Sequence, residues 1–563
     1  MVTISSDRFA AIIAKARADR EAKSSPIPIP LITTLIEGGI TLEAHTIASA
    51  NNVSVTDKYG AEITYNDKQQ AFITLASSGN SCCLIGAAGT GKTTCMKGTV
   101  SALSQSSRTS ILQNHDHKHL PHGVPGIIVC AYTRRATNNI RRNMDESMKA
   151  NCLTIHKLLE YGPEYFQIVN ESGEERTSMR FAPARNGSRP LPAEITTIIF
   201  EESSMISTSL YSEVMEALSH EVQIIFLGDI QQLPPVFGPA ILGFKLTSLP
   251  TIELTEVYRQ ALESPIIRLA HRILSGVPIA PTDLSSWNCD GLTIKPWKKQ
   301  IDAESALTVT EKLFDTLYEA GKYVPQDDII LIPFNKAYGT VEINKSIANH
   351  LARKDNKVVW EVVSGFIKHY FSVGDKVLYD REDAIILDIF PNPSYTGALC
   401  QKESVYLDYW GHNNTPKELT TAYDPGDMED IDFLLAQVAG DEEDRVTQSS
   451  HHIKLLMQDS SYERTITKAA EVNTLILGYA LTVHKSQGSE WDKVFLLFHN
   501  SHATMMQREL LYTAVTRAKK DLFIICEPDT FTKAIKSQRI KGDTLAEKAE
   551  FFKGKSQSGD MQS

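Results

Sequence analysis

Residues 86–93, Gly86-Ala87-Ala88-Gly89-Thr90-Gly91-Lys92-Thr93, match the spacing G-x-x-x-x-G-K-[ST] between an apolar run, SCCLI, and a helix-forming run, TTCMKGTVSAL. This succession of strand, glycine-rich curl and helix constrains the fold more than any other stretch of the chain. The glycines let successive backbone N–H groups turn around a phosphate, and the start of the helix adds positive potential. Lys92 is expected to reach the β- and γ-phosphates of a nucleotide and the Thr93 hydroxyl to coordinate Mg²⁺, with Gly86 through Thr94 lining the cradle.

A curl of this kind sits at the end of a parallel strand, and the surrounding pattern agrees. CCLIG, GIIVCAYT, TTIIFEE and VQIIFLGD are short apolar runs separated by helical stretches; NTLILGYALT, KVFLLF and DLFIIC repeat the pattern near the other end. Apolar strands alternating with helices predict parallel sheets buried on both faces, hence an α/β protein with two such blocks. The expected division is an N-terminal extension over 1–60, with a polar helix over 7–23 stopped by Pro26, Pro28 and Pro30, then a first block over 61–260. A second block follows over 261–563, with a β-rich and acidic insertion over 365–470 and a flexible tail over 554–563.

Composition bears mainly on what is excluded. With 57 basic and 68 acidic residues the net charge is −11, which argues against a histone-like coat for nucleic acid while leaving room for a local groove. Nine acids and one base fall within 424–445, so −8 of the −11 belongs to one stretch, read as a solvated acidic loop. Eight cysteines without a C-x-x-C pair predict neither a disulfide scaffold nor a metal site, and the adjacent Cys82 and Cys83 read as small buried hydrophobes. No apolar run is long enough for a signal-peptide core or a membrane span, so an intracellular, cytoplasmic location without membrane contact is expected.

A phosphate loop needs carboxylates on a neighbouring strand to hold the metal and orient water. ITTIIFEESSM supplies them: Glu201 is expected near the metal and Glu202 to polarise water. A third strand, VQIIFLGD, runs into Gln232-Leu233-Pro234-Pro235, where Gln232 on a stiff segment is placed to sense the γ-phosphate. The run RRATNNIRR puts +4 into residues 134–142, with 134/141 and 135/142 on shared helical faces, the pattern of a phosphate-binding ridge or of a solvated basic face.

Taken in order, these motifs resemble superfamily-one DNA helicases of the 5′-to-3′ class, close to the phage Dda and bacterial RecD types, over roughly residues 65–525. The resemblance adds NDKQ (66–69), where Gln69 would read the adenine edge; AYTRRAT, with Thr133 and Arg134 on DNA; and TIHKLL, with Thr154 and His156 on DNA. LTEVYRQ brings Arg259 toward the γ-phosphate, and ELLYTAVTRAKK brings Arg517 as an arginine finger. GYALTVHKSQGSEWD adds Thr482, His484, Lys485 and Ser486 on DNA, with Gly488 and Glu490 near the nucleotide. Glu201 departs from the usual Asp by one methylene.

The resemblance implies two RecA-like motor domains closing on ATP and Mg²⁺, a small pin-like hairpin module inserted at 157–190, and an SH3-like fold opened by FSVGDKVLY. Within the hairpin, YFQIV and RTSMRFAP flank a turn at 170–173, and Phe166 or Phe181 is a candidate to stack on the last base pair. The implied activity is ATP-driven unwinding on single-stranded and forked DNA by a monomer serving replication, recombination or repair. Two alternatives are a single-strand translocase that displaces proteins with little unwinding and an ATP-gated DNA-binding subunit. An RNA helicase also fits, since the strand-gripping motifs do not read the 2′-hydroxyl.

Overall fold

The computed structural model describes residues 63–169, 175–235, 238–257, 263–297, 301–335, 338–364, 367–379, 382–393, 395, 448–458 and 462–558. The helix expected over 7–23, Arg259, the hairpin turn, the Phe166 and Phe181 side chains and the acidic run 424–445 lie outside the described residues.

The first sheet contains β1 (Cys82–Gly86), β2 (Ile127–Ala131) and β3 (Cys152–Thr154); β4 (Gly162–Val169) and β5 (Glu175–Ala182) form a separate hairpin; β6 (Thr197–Phe200), β7 (Gln223–Gly228) and β8 (Thr251–Leu254) complete the sheet. Its order is β3-β2-β6-β7-β1-β8, all parallel, with Leu84 opposite Leu227 on one side and Ile252 on the other. Every residue of β1, β2 and β6 is buried, as continuous apolar runs in a two-sided sheet require. Cys82 and Cys83 are both fully buried in β1, the role read for them.

A second parallel sheet has β9 (Leu292–Pro296), β10 (Ile329–Ile332), β18 (Ala480–Thr482), β19 (Trp491–Phe498) and β20 (Ala518–Cys526) in the order β18-β10-β19-β20-β9. Strand periodicity splits its side chains between two cores. Ile329, Leu331, Val494 and Leu496 face one cluster, whereas Ile330, Ile332, Phe495 and Leu497 face the other. The α/β class and its two parallel blocks are therefore as the alternation of apolar runs predicts.

Between β10 and β18 the chain builds an antiparallel seven-stranded sheet from β11 (Val359–Ser364), β12 (Ile367–Ser372), β13 (Lys376–Tyr379), β14 (Glu382–Pro391), β15 (Gln448–Met457), β16 (Glu463–Lys468) and β17 (Ile476–Leu477). It starts six residues before the expected boundary at 365 and ends beyond 470, with β11 at one limit and β17 at the other. Arg135 of the first block reaches it, forming an ion pair with Asp383 of β14 while its guanidinium lies 4.8 Å from the Trp491 ring.

The β4–β5 hairpin pairs without a slip from Gly162↔Ala182 to Val169↔Glu175. Its base is fixed by Arg185, 2% exposed, whose Nε and Nη2 donate to the two Glu160 oxygens at 2.9 and 3.2 Å and whose Nη1 lies 2.7 Å from Asp116. Such a buried, doubly bonded pair is strongly destabilised when one partner is removed.

The last helix, Leu545–Ser558, runs five residues into the stretch expected to be a flexible tail. Thr544 and Glu547 form a capping box at its start, the hydroxyl accepting from Glu547 N–H at 3.2 Å and the carboxylate from Thr544 N–H at 3.1 Å. Its Phe552 packs edge-on to Phe244 at 5.3 Å and over Gly243, where a Cβ would meet the ring at 2.3 Å. The C-terminal helix thus returns to the short helix Ile241–Lys245 of the first block, and glycine is required there by close approach. Phe552→Ala is expected to lower stability by about 3 kcal/mol, read as a lower urea midpoint together with faster tryptic cleavage after Lys548 and Lys553.

Candidate nucleotide site and strand path

In the first sheet β6, β7 and β1 are neighbours and parallel, so their carboxyl ends open on one edge. Glu201 and Glu202 follow β6, Asp229 and Gln232 follow β7, and the glycine loop follows β1. This is the edge at which open α/β sheets bind ligands. Gly89 and Gly91 take left-handed φ values of 80° and 83°, which side chains disfavour, and Thr90 Oγ1 closes the curl onto the Ala87 carbonyl at 2.8 Å. The helix Lys92–Ser104 begins at Gly91 with no side-chain cap. Lys92 Nζ donates to the Gly86 and Ala87 carbonyls at 2.7 and 3.3 Å, and Thr93 and Thr94 follow it half-buried on the first turn.

Gln69 is fully buried. Its Oε1 accepts from Asn66 N–H at 3.1 Å, completing a capping box, and its Nε2 donates to the Gly91 carbonyl at 3.4 Å, so it joins the first helix to the glycine loop.

Glu201 is buried and Glu202 half-buried with its Oε2 shielded from solvent, and loss of water pushes each carboxyl above its ordinary range. Glu201 is raised further by Glu202 and Glu490, while Lys92 and Arg517 pull it down. For Glu202 the counteracting cations are Arg517 and then Lys92, with Asp229 and Glu490 acting against them. Lys92, Glu201 and Glu202 of the first block thus lie within electrostatic reach of Glu490 and Arg517 of the second. Glu202 has a left-handed φ of 51°, and its Oε2, like Gln232 Oε1, is buried without a hydrogen-bond partner among the described residues. The loop N–H groups and the Lys92 ammonium are donors suited to phosphate oxygens, and the two unpartnered acceptors are suited to the O–H groups of an attacking water.

Arg517 is 3% exposed and held at every nitrogen: Nε donates to Thr513 O at 3.0 Å, Nη1 to Ser489 O at 3.0 Å and Nη2 to Thr516 Oγ1 at 3.2 Å. Glu490 lies 3.6 Å from Lys519. Gly488, at φ 72°, presses on the first block, where a Cβ would come 2.7 Å from Thr133 Oγ1.

The candidate strand contacts fall at helix starts. Thr133 caps the helix Arg134–Asn143 by accepting from Ala136 N–H at 3.1 Å, and Thr154 caps the turn Ile155–Leu158 by accepting from Lys157 N–H at 3.2 Å. His156 lies between the Tyr132 and Tyr161 rings, at 5.6 and 5.0 Å. In the second block Thr482 Oγ1 accepts from Lys485 N–H at 3.2 Å. Ser486 is fully buried and donates to Val483 O at 2.8 Å, so its hydroxyl braces the turn instead of facing a groove. Burial and the Arg539 charge push His484 down to about 4, leaving it neutral at pH 7.

Within 134–142, Arg135 and Arg141 are turned to the rest of the fold, on neither a phosphate-binding ridge nor a solvated face. Arg141 spends Nε and Nη2 on the Cys152 carbonyl at 3.0 and 2.7 Å, and Arg135 donates to Ser489 Oγ at 3.2 Å besides pairing with Asp383. Equal helical spacing does not distinguish an arginine that faces solvent from one that faces the rest of the fold.

Three residues at this junction carry no local signal in the sequence. Tyr512 lies within 3 Å of both Ala88 and Asp229, Thr513 Oγ1 accepts from Leu233 N–H at 3.0 Å, and Gln487 Nε2 donates to Leu233 O at 2.8 Å. Among the described residues no group of three or more His, Cys, Asp or Glu side chains is gathered to hold a metal by itself, and no helix is long and apolar enough to cross a membrane.

Residues 64–285 match the family model described as an AAA domain, and residues 477–525 match that of the UvrD-like helicase C-terminal domain. The chain is 26% identical over 396 residues to an ATP-dependent RecD2 DNA helicase of Deinococcus radiodurans, covering 70% of this chain and 42% of that protein. It is 20% identical over 497 residues to the RecBCD enzyme subunit RecD of Buchnera aphidicola, covering 84% and 74%. Among solved structures, the Pif1 helicase from Bacteroides with ADP-AlF3 and ssDNA aligns over 88% of this chain and 99% of its own at 15% identity, with a TM-score of 0.41. The chain therefore spans under half the length of the RecD2 relative, and along it the segment similar to an AAA domain precedes the segment similar to a UvrD-like helicase C-terminal domain.

Proposed function

We propose that the chain is an ATP-dependent DNA helicase that moves 5′ to 3′ along single-stranded DNA and opens duplex ahead of it. The observation that carries this reading is that the loops of the first sheet, through Ala88, Asp229 and Leu233, are hydrogen-bonded to Tyr512, Thr513 and Gln487 of the second, on the elements that carry Arg517 and Glu490. A hydrolytic site divided in this way is complete only when the two blocks are together. Turnover and relative motion are then obligatorily linked.

In the proposed reaction Lys92 exchanges the Gly86 and Ala87 carbonyls for β- and γ-phosphate oxygens of ATP. Glu202, through its unpartnered Oε2, accepts a proton from the attacking water, and Gln232 contacts the γ-phosphate through its side-chain amide. Arg517 stabilises charge that develops on the transferring phosphoryl group, and Arg259 is assigned to the same phosphate. Thr93 and Glu201 would hold Mg²⁺, which when bound supplies the neutralising charge between phosphate oxygens. Gln69 is assigned to the adenine edge, Gly86 through Thr94 to the phosphates, and Gly488 and Glu490 to the far wall of the site.

For the strand, Thr133, Arg134, Thr154 and His156 are assigned to the first block's grip, and Thr482, His484, Lys485 and Ser486 to the second's. Ser486 acts there by shaping the turn. Contacts on both blocks mean that closure and opening shift one grip against the other. Single-stranded and forked DNA are the substrates of this reading.

Matched forks with a 5′ or a 3′ tail, in DNA and in RNA, test it directly: unwinding is expected from 5′-tailed DNA with ATP and Mg²⁺. Unwinding from 3′ tails alone would sink the polarity, and DNA-stimulated ATP turnover without strand separation would favour the translocase. Glu202→Gln is expected to lower kcat by roughly 10²–10⁴, with nucleotide affinity within a few fold, measured by phosphate release and equilibrium titration.

A further inference from the structure

The helix Arg508–Val515 belongs to the second block, yet the side chains of Tyr512 and Thr513 are bonded to the first. Tyr512 is fully buried. Its hydroxyl accepts the Ala88 N–H at 2.7 Å and donates to Asp229 Oδ2 at 2.6 Å. A phenol has one proton, so accepting from an amide leaves only the donation to Asp229, and the bridge has a single polarity. Asp229, 1% exposed, accepts Gln231 N–H on its other oxygen at 3.0 Å. Burial and the Asp229 charge raise the phenol well above its ordinary range, so the proton stays on Tyr512.

The two groups it joins have distinct duties. Ala88 is the middle of the glycine loop, and Asp229 begins the segment that carries Gln232. From the same helix Thr513 takes the Leu233 N–H, and the Thr513 carbonyl accepts Arg517 Nε at 3.0 Å. Leu233 itself is buried in the second block's hydrophobic cluster, with Ala88 packed against the same cluster. The glycine loop, the Gln232 segment and the arginine are thereby tied to one turn of helix.

We propose that Tyr512 is a positioning residue that sets Arg517 and Gln232 in register with the phosphate loop, so that a shift of Ala88 on nucleotide binding reaches both through one hydroxyl. This rests on the ATPase reading above. A rigid helix carries Arg517 wherever Tyr512 is drawn. The bridge therefore governs how fast the closed site turns over, and not how tightly the first block holds a nucleotide. Without the hydroxyl, the Ala88 N–H and one Asp229 oxygen lose their shared partner, and the loop and the helix close independently.

The test is ATP turnover with saturating single-stranded DNA, alongside equilibrium ADP affinity, for the full chain and for Tyr512→Phe, Asp229→Asn and the double variant. Tyr512→Phe is expected to lower kcat at least tenfold while ADP affinity stays within twofold, and the double variant to be no slower than the slower single one. Should Tyr512→Phe not fold, Asp229→Asn must show the same fall in kcat at unchanged ADP affinity. A kcat within twofold of the parent, ADP affinity falling in step with kcat, or additive effects in the double variant would overturn the assignment. Lys92→Ala, assayed in parallel, separates the two claims: full turnover in that variant overturns the ATP site itself, whatever Tyr512 does.

Discussion

Carboxyls taken out of water are costly to ionise, and the cations that oppose this cost come from both blocks. The carboxyl edge of the first sheet buries Glu201 and Asp229 beside the half-buried Glu202, with the Lys92 ammonium turned to backbone carbonyls. The second cation is Arg517, which belongs to the second sheet and opposes the rise in both glutamates. Attraction between such charges grows as water leaves, while an unmatched buried carboxylate is strongly unfavourable. On the proposed reading, bringing the blocks together completes the electrostatics of the site and its catalytic set in one movement. A site built within one block would hydrolyse nucleotide without moving anything.

The parts of this arrangement that were legible in the sequence are those whose signal is local. The glycine loop, its flanking strand and helix, and the acidic pair after ITTIIF each fall within a dozen residues, and apolar runs suffice to announce parallel strands. What was not legible depends on residues brought together over hundreds of positions. Ala88 and Tyr512 are 424 apart, and Leu233 and Gln487 are 254 apart. Nothing near Tyr512 distinguishes a phenol that bridges two blocks from one that fills a core. The same reason misled the reading of the basic run: Arg135 and Arg141 occupy helical faces that tertiary contacts, unseen in the spacing, had already claimed. The hairpin was legible because its strands are adjacent, but the Glu160–Arg185 pair that seats it is not part of either strand.

The ends of the chain also matter to how the blocks move. Numbering places the helix Leu545–Ser558 after the second sheet, but Phe552 fills the space above Gly243 of the first. The returning helix thus adds to the contacts made between the blocks by Arg135 with Asp383 and by Tyr512 with Ala88 and Asp229. Packing far along the chain from the glycine loop therefore also resists separation of the blocks.

On this view the Gln232-Leu233-Pro234-Pro235 segment has a mechanical meaning. Asp229, which follows β7, is held by Tyr512, and Leu233 is bonded through both its N–H and its carbonyl to the second block, with its side chain in that block's core. Only Ile230, Gln231 and Gln232 lie between these anchors, and the prolines fix the backbone that follows them. A flexible loop in this position would let Gln232 follow a phosphate while the blocks stayed still. A stiff one makes the movement of Gln232 and the movement of the second block the same event, which is what coupling a bond-breaking step to a step along a strand requires.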